Sequence, residues 1–450
     1  MADLVSTDIA IGGGGIAGSV AALILGRLGF RVILIEPNLH GDRRRGGEML
    51  HPRGVACLEQ LGLLADVQAA GVTKVDGFHI RDAEAGDVIL RYATAGLGLG
   101  IALDHARLHA VLFAAARNCP NVTVVEGMRV SGLDQSHGHV EIHVTGKGGD
   151  RRICADLLVG ADGSRSRIRE LAGIRSLGRR MPTISALTIP ADALPDIRLG
   201  HVFVGGGRVS LAYPIGEGRG RLMVDHHDRP PHSAIEVAAL LSPGCPADFR
   251  LRIQGLPVEQ RVRQFPTDVV IVDKPYRGRV VLIGDAAGTC HPLTASGMTS
   301  GIVDAVTLAE SLRDHPGNIK RAVRRYADQC RDRQANRLSL ANAVHEVLAS
   351  AKPEFRILRF GMMRYWRSVK GGKRAIALLS MAEDRPAKLR QAMIDTLRYS
   401  LGELMRPSNP ARPKARWRIG LDISRIIVRY HLGSVAASGD SSRSTEGALP

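Results

Sequence analysis

The sequence has 450 residues, of which 44% are hydrophobic and 23% are charged, and its formal net charge is +17. This composition describes a globular protein of two or three packed units and excludes a disordered or fibrous chain. Six cysteines without CxxC or metal-type spacing disfavour a disulfide framework and a structural metal, and they predict a reducing, cytoplasmic location.

The positive charge is concentrated near the C-terminus. Between Lys352 and Arg429 there are 19 Lys or Arg against 6 Asp or Glu. Such a segment could face anionic lipid or simply water. A nucleic-acid partner is not expected, because no nucleic-acid motif accompanies the charge and aromatic content is only 4%.

The first motif is a short apolar strand that enters a glycine-rich turn and then a helix. Gly13, Gly15 and Gly18 have the GxGxxG spacing, and a second strand, Arg31 to Ile35, ends in Glu36. In such a unit the glycines allow a tight turn, close approach of a pyrophosphate and packing of helix on strand, while the acidic residue accepts from ribose hydroxyls. The combination predicts a dinucleotide site. The absence of charge from residues 9–26 therefore indicates a buried strand and helix rather than a membrane span.

A loop with three successive arginines, Arg43 to Arg45, follows Glu36. Like-charge runs are usually solvated, but the neighbouring glycines would let one arginine lie against a cofactor. The elements predicted next are a helix at 55–64, strands at 78–81 and 88–91, a helix around 107–112, a strand at 122–126 and hairpin-like strands at 140–144 and 152–154.

The second motif is an apolar strand, Leu157 to Gly160, that ends at Asp162-Gly163. Small residues and a turn-forming aspartate let the backbone approach a phosphate or a nicotinamide. Alone it is a common turn, but in series with the first motif it supports a nucleotide site.

Residues 178–274 have an all-β pattern of short alternating runs. We expect an inserted sheet that faces the substrate. The segment Asp225 to His232 reads DHHDRPPH, but two adjacent histidines in a turn do not easily share one ion, so we expect a solvated loop and no metal site.

The third motif, Arg279 to Asp304, reads RVVLIGDAAGTCHPLTASGMTSGIVD. A buried strand exits at Asp285, and a helix opens near Gly297 and Met298, so that a carboxylate and free helix N–H groups would face the same ligand. A simple crossover would give the same local pattern. Cys290-His291 is not expected to act as nucleophile and base, because adjacent side chains rarely point at each other.

The C-terminal part is predicted to be helical, with a long helix at 319–347 and an amphipathic helix at 415–432. Between them, residues 355–366 interleave arginines with bulky apolar residues. The last helix either covers the core or lies on a membrane surface. Pro407, Pro410 and Pro413 predict a stiff connector, and residues 434–450 are expected to be disordered.

These motifs, in this order, resemble the flavoprotein monooxygenases of the p-hydroxybenzoate hydroxylase fold. Within them, GEMLHPRG at 47–54, DHARLHAVL at 104–112, ADGSRSRIR at 161–169 and especially HPLTASGMT at 291–299 are similar to the squalene monooxygenase family. The resemblance, which covers about residues 8–313, implies an α/β fold with a Rossmann-like FAD-binding domain (1–177 and 275–350) and an inserted, mainly antiparallel β-sheet substrate domain (178–274). Charge, periodicity and composition add a basic C-terminal helical region (351–433) and a disordered tail (434–450).

The resemblance also implies an FAD-dependent monooxygenase that epoxidises or hydroxylates an apolar isoprenoid, polyene or aromatic substrate with O2 through a flavin C4a-hydroperoxide, with NADPH or NADH as reductant and, as an alternative, a separate reductase. Phe78, His291 and Pro292 would lie near the flavin. The implied FAD contacts are Gly13, Gly15, Gly18, Glu36, Arg45, Arg107, Asp162, Asp285, Gly297 and Met298.

Three features depart from the family. Phe78 stands where squalene monooxygenases have a tyrosine, Ala295-Ser296 replace two glycines, and the hydrophobic membrane anchors have no counterpart, so peripheral contact with the inner face of the membrane through the basic helices is the remaining membrane hypothesis. A prenyl reductase and a non-catalytic prenyl-binding chaperone remain alternatives. A flavin halogenase is disfavoured because Trp366 and Trp417 cannot form its WxWxIP signature.

Overall fold

The computed structural model describes residues 4–38, 48–135, 138–147, 149–226, 229–257, 260–265, 267–406 and 413–436. The strands are, in chain order, β1 (Leu4–Gly12), β2 (Val32–Glu36), β3 (Met49–Leu50), β4 (Thr73–Val75), β5 (Gly77–Asp82), β6 (Gly86–Arg91), β7 (Gly100–Ala102), β8 (Val122–Glu126), β9 (Met128–Asp134), β10 (Val140–Gly146), β11 (Gly149–Gly160), β12 (Ser176–Arg180), β13 (Thr183–Pro190), β14 (Leu199–Gly205), β15 (Arg208–Gly216), β16 (Arg219–His226), β17 (Arg263–Phe265), β18 (Asp268–Val272), β19 (Tyr276–Arg277), β20 (Val280–Leu282) and β21 (Gly288–Thr289).

The helices are α1 (Ile16–Arg27), α2 (Pro52–Gln60), α3 (Leu64–Ala69), α4 (His105–Arg117), α5 (Arg167–Leu171), α6 (Ala234–Leu240), α7 (Ala247–Gln254), α8 (Gly297–Arg313), α9 (Ile319–Ala349), α10 (Pro353–Arg367), α11 (Val369–Leu379), α12 (Pro386–Leu404) and α13 (Pro413–Ala436). The single helix predicted at 55–64 is two helices, because the chain turns at Gly62, whose φ of 70° suits glycine.

The first large sheet forms the nucleotide-binding half of the fold. Among the described residues its strand order is β19-β20-β11-β1-β2-β8, with β10 on β11 and β9 on β10. The β20, β11, β1, β2 and β8 strands run parallel. Their apolar residues pack with α1, α4 and α8 into one continuous core. The predicted Rossmann-like arrangement is confirmed, and it brings the ends of β1, β11 and β20 to one edge.

The second large sheet is mainly antiparallel, as predicted, with the order β17-β13-β16-β15-β14-β5-β6 among the described residues. Its β14–β5 pair is parallel, so that residues 77–91 complete a sheet whose other strands follow residue 178. The all-β expectation for 178–274 is wrong, since α6 and α7 pack Val237 and Phe249 against this sheet. A sheet with two apolar faces needs such a cover.

The other face of the second sheet is covered by the C-terminal helices. Phe78 and Val202 of the sheet share a core with Leu358 and Trp366 of α10 and with Ile423 of α13. The sequence left two alternatives for α13, covering the core or lying on a membrane surface. At least one face of this helix covers the core. The predicted proline connector at 407–412 and the tail from residue 437 lie outside the described residues.

Candidate active site

A cavity of about 450 Å³ extends from the nucleotide-binding sheet to the second sheet. Its first half is lined by residues at the ends of the parallel strands, among them Gly15, Asp162 and Asp285. Its second half is lined by side chains of the antiparallel sheet, among them Val202 and Met223. One continuous space therefore joins the predicted nucleotide site to the predicted substrate layer.

The glycine-rich turn has the close contacts that its sequence predicts. Gly13 has a φ of 104°, and a Cβ on it would lie 2.5 Å from the Ala161 carbonyl oxygen. A Cβ on Gly18 would overlap the Gly13 carbonyl, so this glycine lets α1 approach the turn. Gly15 lines the cavity. A side chain at any of these positions would fill space that a bound pyrophosphate or the helix requires.

Glu36 is 5% exposed at the end of β2. Its Oε2 accepts from the Gly14 N–H at 2.6 Å and its Oε1 from the Asn38 N–H at 2.9 Å. The carboxylate is thus fixed beside the glycine turn. Its contact with a ribose stays a prediction.

Asp162 lines the cavity at the end of β11. Its Oδ1 accepts from the Ser166 hydroxyl at 2.5 Å and its Oδ2 from the Ile168 N–H at 3.0 Å. Burial raises the pKa of this carboxyl, and the bonds from Ser166 and Ile168 oppose the shift. Asp162 therefore fixes the start of α5 at the edge of the cavity.

The third motif places a carboxylate beside a helix N-terminus, as the sequence predicts. Asp285 is exposed at the cavity in a short 3-10 turn, and its Oδ1 would lie 3.9 Å from a Cβ built on Gly297. Gly297 and Met298 begin α8 and line the cavity, and the Ser296 side chain does not cap the helix. Free N–H groups of the first turn suit an electron-rich ring, and the carboxylate suits hydroxyl groups.

A buried ion pair, which the sequence analysis missed, holds the turn that carries Asp285. Asp304 of α8 is fully buried, and its Oδ2 accepts from the Gly284 N–H at 3.0 Å. Its Oδ1 accepts from Arg333 Nη2 of α9 at 2.6 Å. Gln334 also donates to Oδ2, at 3.2 Å. The carboxylate of Asp304 thus links α9 to the turn.

The other predicted site residues divide into three groups. Phe78, His291 and Pro292 line the cavity. Arg107 forms an ion pair with Glu217 and donates to the Ala70 carbonyl at 3.2 Å, so its FAD contact stays a prediction. Arg45 lies outside the described residues.

The wall behind Phe78 contains a buried histidine. His51 Nε2 lies 2.8 Å from the Thr294 carbonyl oxygen, and its Nδ1 lies 2.8 Å from the Tyr92 hydroxyl. Burial lowers the pKa of His51 to about 4. A neutral ring donates from Nε2 to the carbonyl and accepts from Tyr92 at Nδ1, which fixes the turn from His291 to Thr294 against the sheet.

His291 meets two residues from distant parts of the chain. Its Nε2 lies 3.3 Å from Asp225 Oδ2, and His345 Nε2 of α9 lies 3.0 Å from the same oxygen. Three such side chains have the donor types of a metal site. However, the Leu293 N–H donates to His291 Nδ1 at 3.2 Å. A neutral His291 then carries its proton on Nε2, so this nitrogen directs an N–H, and not a metal-binding lone pair, toward Asp225.

The second half of the cavity is largely apolar, and one member of a buried charged pair lines it. Its apolar lining includes Met49, Phe78, Ile184, Leu211, Met223 and Phe265. Glu48, which also lines the cavity, is 2% exposed and is held by Arg221 of β16 and Tyr213 of β15. This arrangement suits a substrate that is largely apolar and reaches the nucleotide half of the cavity.

Comparison with known proteins agrees with this site. Residues 6–205 match an FAD binding domain, and residues 154–416 match squalene epoxidase. Squalene epoxidase erg1 of Aspergillus fumigatus is 28% identical over 384 residues, which are 80% of this chain and 79% of that protein. A 6-methylpretetramide 4-monooxygenase of Streptomyces rimosus is 32% identical over 337 residues, covering 69% and 77% of the two chains.

Among solved structures, p-nitrophenol 4-monooxygenase from Pseudomonas putida superposes with a TM-score of 0.71. It is 20% identical, and the match covers 84% of this chain and 99% of that one. At this identity the likeness shows the fold alone.

Proposed function

The chain belongs to the squalene epoxidase family of FAD-dependent monooxygenases, and on this premise we propose that it inserts one oxygen atom of O2 into an apolar isoprenoid, polyene or aromatic molecule. The observation that carries the proposal is the continuity of the cavity. The same space is bounded by Asp285 and the N-terminus of α8 at one end and by the apolar face of the second sheet at the other.

The residues present fit FAD. The glycine turn leaves room for a pyrophosphate, Asp285 offers a carboxylate to hydroxyl groups, and Gly297 and Met298 at the N-terminus of α8 line the cavity. When bound and reduced, FAD supplies the activation of O2 that yields an electrophilic oxygen. We include NADH or NADPH as reductant, acting directly or through a reductase partner.

The protein's own contribution is to position the substrate and to exclude water. Phe78, Leu293 and Met223 surround the space beside the predicted ring site with apolar surface. An apolar wall keeps water from a reactive oxygen species and holds an electron-rich double bond or ring within reach. No side chain is assigned as a nucleophile, because the oxygen chemistry belongs to the cofactor.

Peripheral contact with an anionic membrane surface is the second part of the proposal. On α13, Trp417 is 79% exposed, Leu421 55% and Val428 52%, and Arg418 and Arg425 are exposed nearby on the same helix. Large apolar side chains together with cations suit an interfacial helix. Among the helices that the structure describes, none combines the length and hydropathy needed to cross a bilayer. The six cysteines are free, which fits the proposed cytoplasmic location.

The test is product analysis with the purified, FAD-loaded protein. Candidate isoprenoids, polyenes and aromatic compounds are incubated with NADPH under ¹⁸O2, and one labelled oxygen per product is expected by mass spectrometry. A reductase would instead consume NADPH without consuming O2 and would give a product two mass units heavier. A protein that binds no FAD would contradict the proposal altogether.

A further inference from the structure

An ion pair that is almost fully buried lies beside the apolar half of the cavity, with Glu48 as its lining member. Glu48 is 2% exposed and Arg221 is 5% exposed. Arg221 Nε donates to Glu48 Oε2 at 3.0 Å and to Oε1 at 3.2 Å, and its Nη2 also donates to Oε1. Arg221 Nη1 donates to the Thr188 hydroxyl at 2.6 Å. The donors of Arg221 are thus directed at Glu48 and Thr188.

Stability alone does not account for this pair. Removing two charges from water costs several kcal/mol per ion, and apolar replacements of a buried pair are often neutral or stabilising. The strand pairing surrounds the pair with apolar side chains. Tyr213 of β15 is the partner of Arg221 on β16, and Leu211 is the partner of Met223 two residues along on the same face.

The phenol of Tyr213 completes the cluster. Its hydroxyl lies 3.2 Å from Glu48 Oε2 and 3.1 Å from Met223 Sδ. Burial raises the pKa of Tyr213 well above its usual value, and the neighbouring Glu48 charge adds to the shift. The phenol therefore stays protonated. Its O–H donates a hydrogen bond to the Glu48 carboxylate, which is a stronger acceptor than the Met223 sulfur.

The direction of the remaining hydrogen bonds follows from this arrangement. Glu48 and Tyr213 line the cavity, whereas Arg221 is not among its described lining residues. An ionised carboxylate only accepts, and a phenol whose proton is already donated has only acceptor capacity left. The side-chain oxygens that this cluster can offer to the cavity are therefore acceptors, and a ligand group that forms a hydrogen bond with them must donate.

We propose that Glu48 and Tyr213, held by Arg221, bind a hydrogen-bond-donating group of the substrate, such as a hydroxyl, phenol or N–H group on an otherwise apolar molecule. The inference rests on the proposed function and makes it more specific. A pure hydrocarbon has no group that could donate a hydrogen bond to Glu48 or Tyr213. The proposal therefore distinguishes this chain from an enzyme adapted to a hydrocarbon substrate.

The test compares matched ligands that differ only in the donor. The probes are farnesol against farnesyl methyl ether and 2-naphthol against 2-methoxynaphthalene, titrated into the FAD-loaded protein and followed by the flavin absorbance spectrum. The unmodified protein is expected to bind the hydroxyl compound about tenfold more tightly than its ether, as one hydrogen bond to a charged acceptor group allows.

Tyr213→Phe is expected to reduce that ratio to about threefold or less while the affinity for the ether stays within about twofold. Tyr276→Phe, the same chemical change on β19 away from the cavity lining, is the matched control and should keep the ratio. Glu48→Gln replaces the charged acceptor by a neutral amide that can donate to either probe, so the alcohol and its ether should then bind with nearly equal affinity. An equal affinity for alcohol and ether in the unmodified protein, or an unchanged ratio in Tyr213→Phe, would overturn the proposal.

These outcomes are separate from the proposed function. The titrations report binding to the FAD-loaded protein and need no turnover. If the protein discriminates the probes but incorporates no labelled oxygen, the binding role of Glu48 and Tyr213 stands and the monooxygenase assignment fails. If labelled product forms without discrimination of the probes, the monooxygenase assignment stands and the binding role fails.

Discussion

Replacing Arg333 by methionine should destabilise the protein more than any change of a surface charge. Arg333 is 4% exposed, and its Nη2 lies 2.6 Å from an oxygen of the fully buried Asp304. In the variant the Asp304 carboxylate keeps the Gly284 and Gln334 donors but loses its counter-charge. Breaking a buried pair in this way costs about 3–5 kcal/mol of unfolding free energy.

The assay is urea unfolding of FAD-free protein, followed by far-ultraviolet circular dichroism. FAD is omitted because a ligand that binds the folded state adds its own stabilisation. Arg331→Met is the matched control on the same helix, since its partner Asp328 lies 3.0 Å away and is 67% exposed. That change should alter stability by no more than about 0.5 kcal/mol.

A double variant separates the charge from the hydrogen bond to the turn. Asp304→Leu combined with Arg333→Met leaves no unpaired buried charge, so most of the lost stability should return. The Asp304→Leu change also removes the acceptor of the Gly284 N–H, so FAD affinity in the double variant should be lower than in the unmodified protein. A loss below about 1 kcal/mol in Arg333→Met, or full FAD affinity in the double variant, would refute this reasoning.

Three further predictions concern the cofactor, pH and the membrane. Asp285→Ala should purify largely without FAD, measured by the ratio of flavin to protein absorbance, and full occupancy would count against its role. The pKa of His51 is about 4 in the folded protein and about 6.5 in the unfolded chain, so the unfolded state binds more protons between these values. The contribution of His51 to the free energy of unfolding is therefore complete above pH 6.5 and is lower by about 2 kcal/mol at pH 5. The free energy of unfolding, measured with urea at pH 5 and above pH 6.5, should fall less between these conditions in His51→Gln than in the unmodified protein. Equal decreases in the two proteins would contradict the pKa assigned to His51. Trp417→Ala with Leu421→Ala should weaken sedimentation with anionic vesicles while leaving flavin occupancy unchanged, and unaltered sedimentation would remove the membrane proposal.

The parts of the fold that the sequence predicted are those with a local signal. The β1–α1–β2 unit follows from apolar runs and glycine spacing, and the start of α8 at Gly297 follows from the change of periodicity after Asp285. The helices α6 and α7 were missed because short helices that cover a sheet carry little periodicity of their own.

The missed parts of the site are pairs that no local pattern encodes. Glu48 and Arg221 are 173 residues apart, and Asp225 and His345 are 120 residues apart. Each of these residues is unremarkable in its own segment, and only the folded topology brings the two members of each pair together. The expectation of a solvated loop at residue 225 is wrong for Asp225 itself, because β16 carries this side chain against His291 and His345.

The parallel pairing of β5 with β14 sets a condition on synthesis of the chain. The ribosome completes β5 at Asp82 and reaches the first residue of its partner, Leu199, more than one hundred residues later. At 5–20 residues per second this interval is roughly 6 to 23 s. During it one edge of a strand that carries Phe78 and Ile80 has no native neighbour, which exposes it to pairing with other chains. Production of the protein in a new host should therefore depend on chaperones that bind nascent chains. A lower growth temperature alone would slow translation and lengthen the time for which this strand edge is exposed.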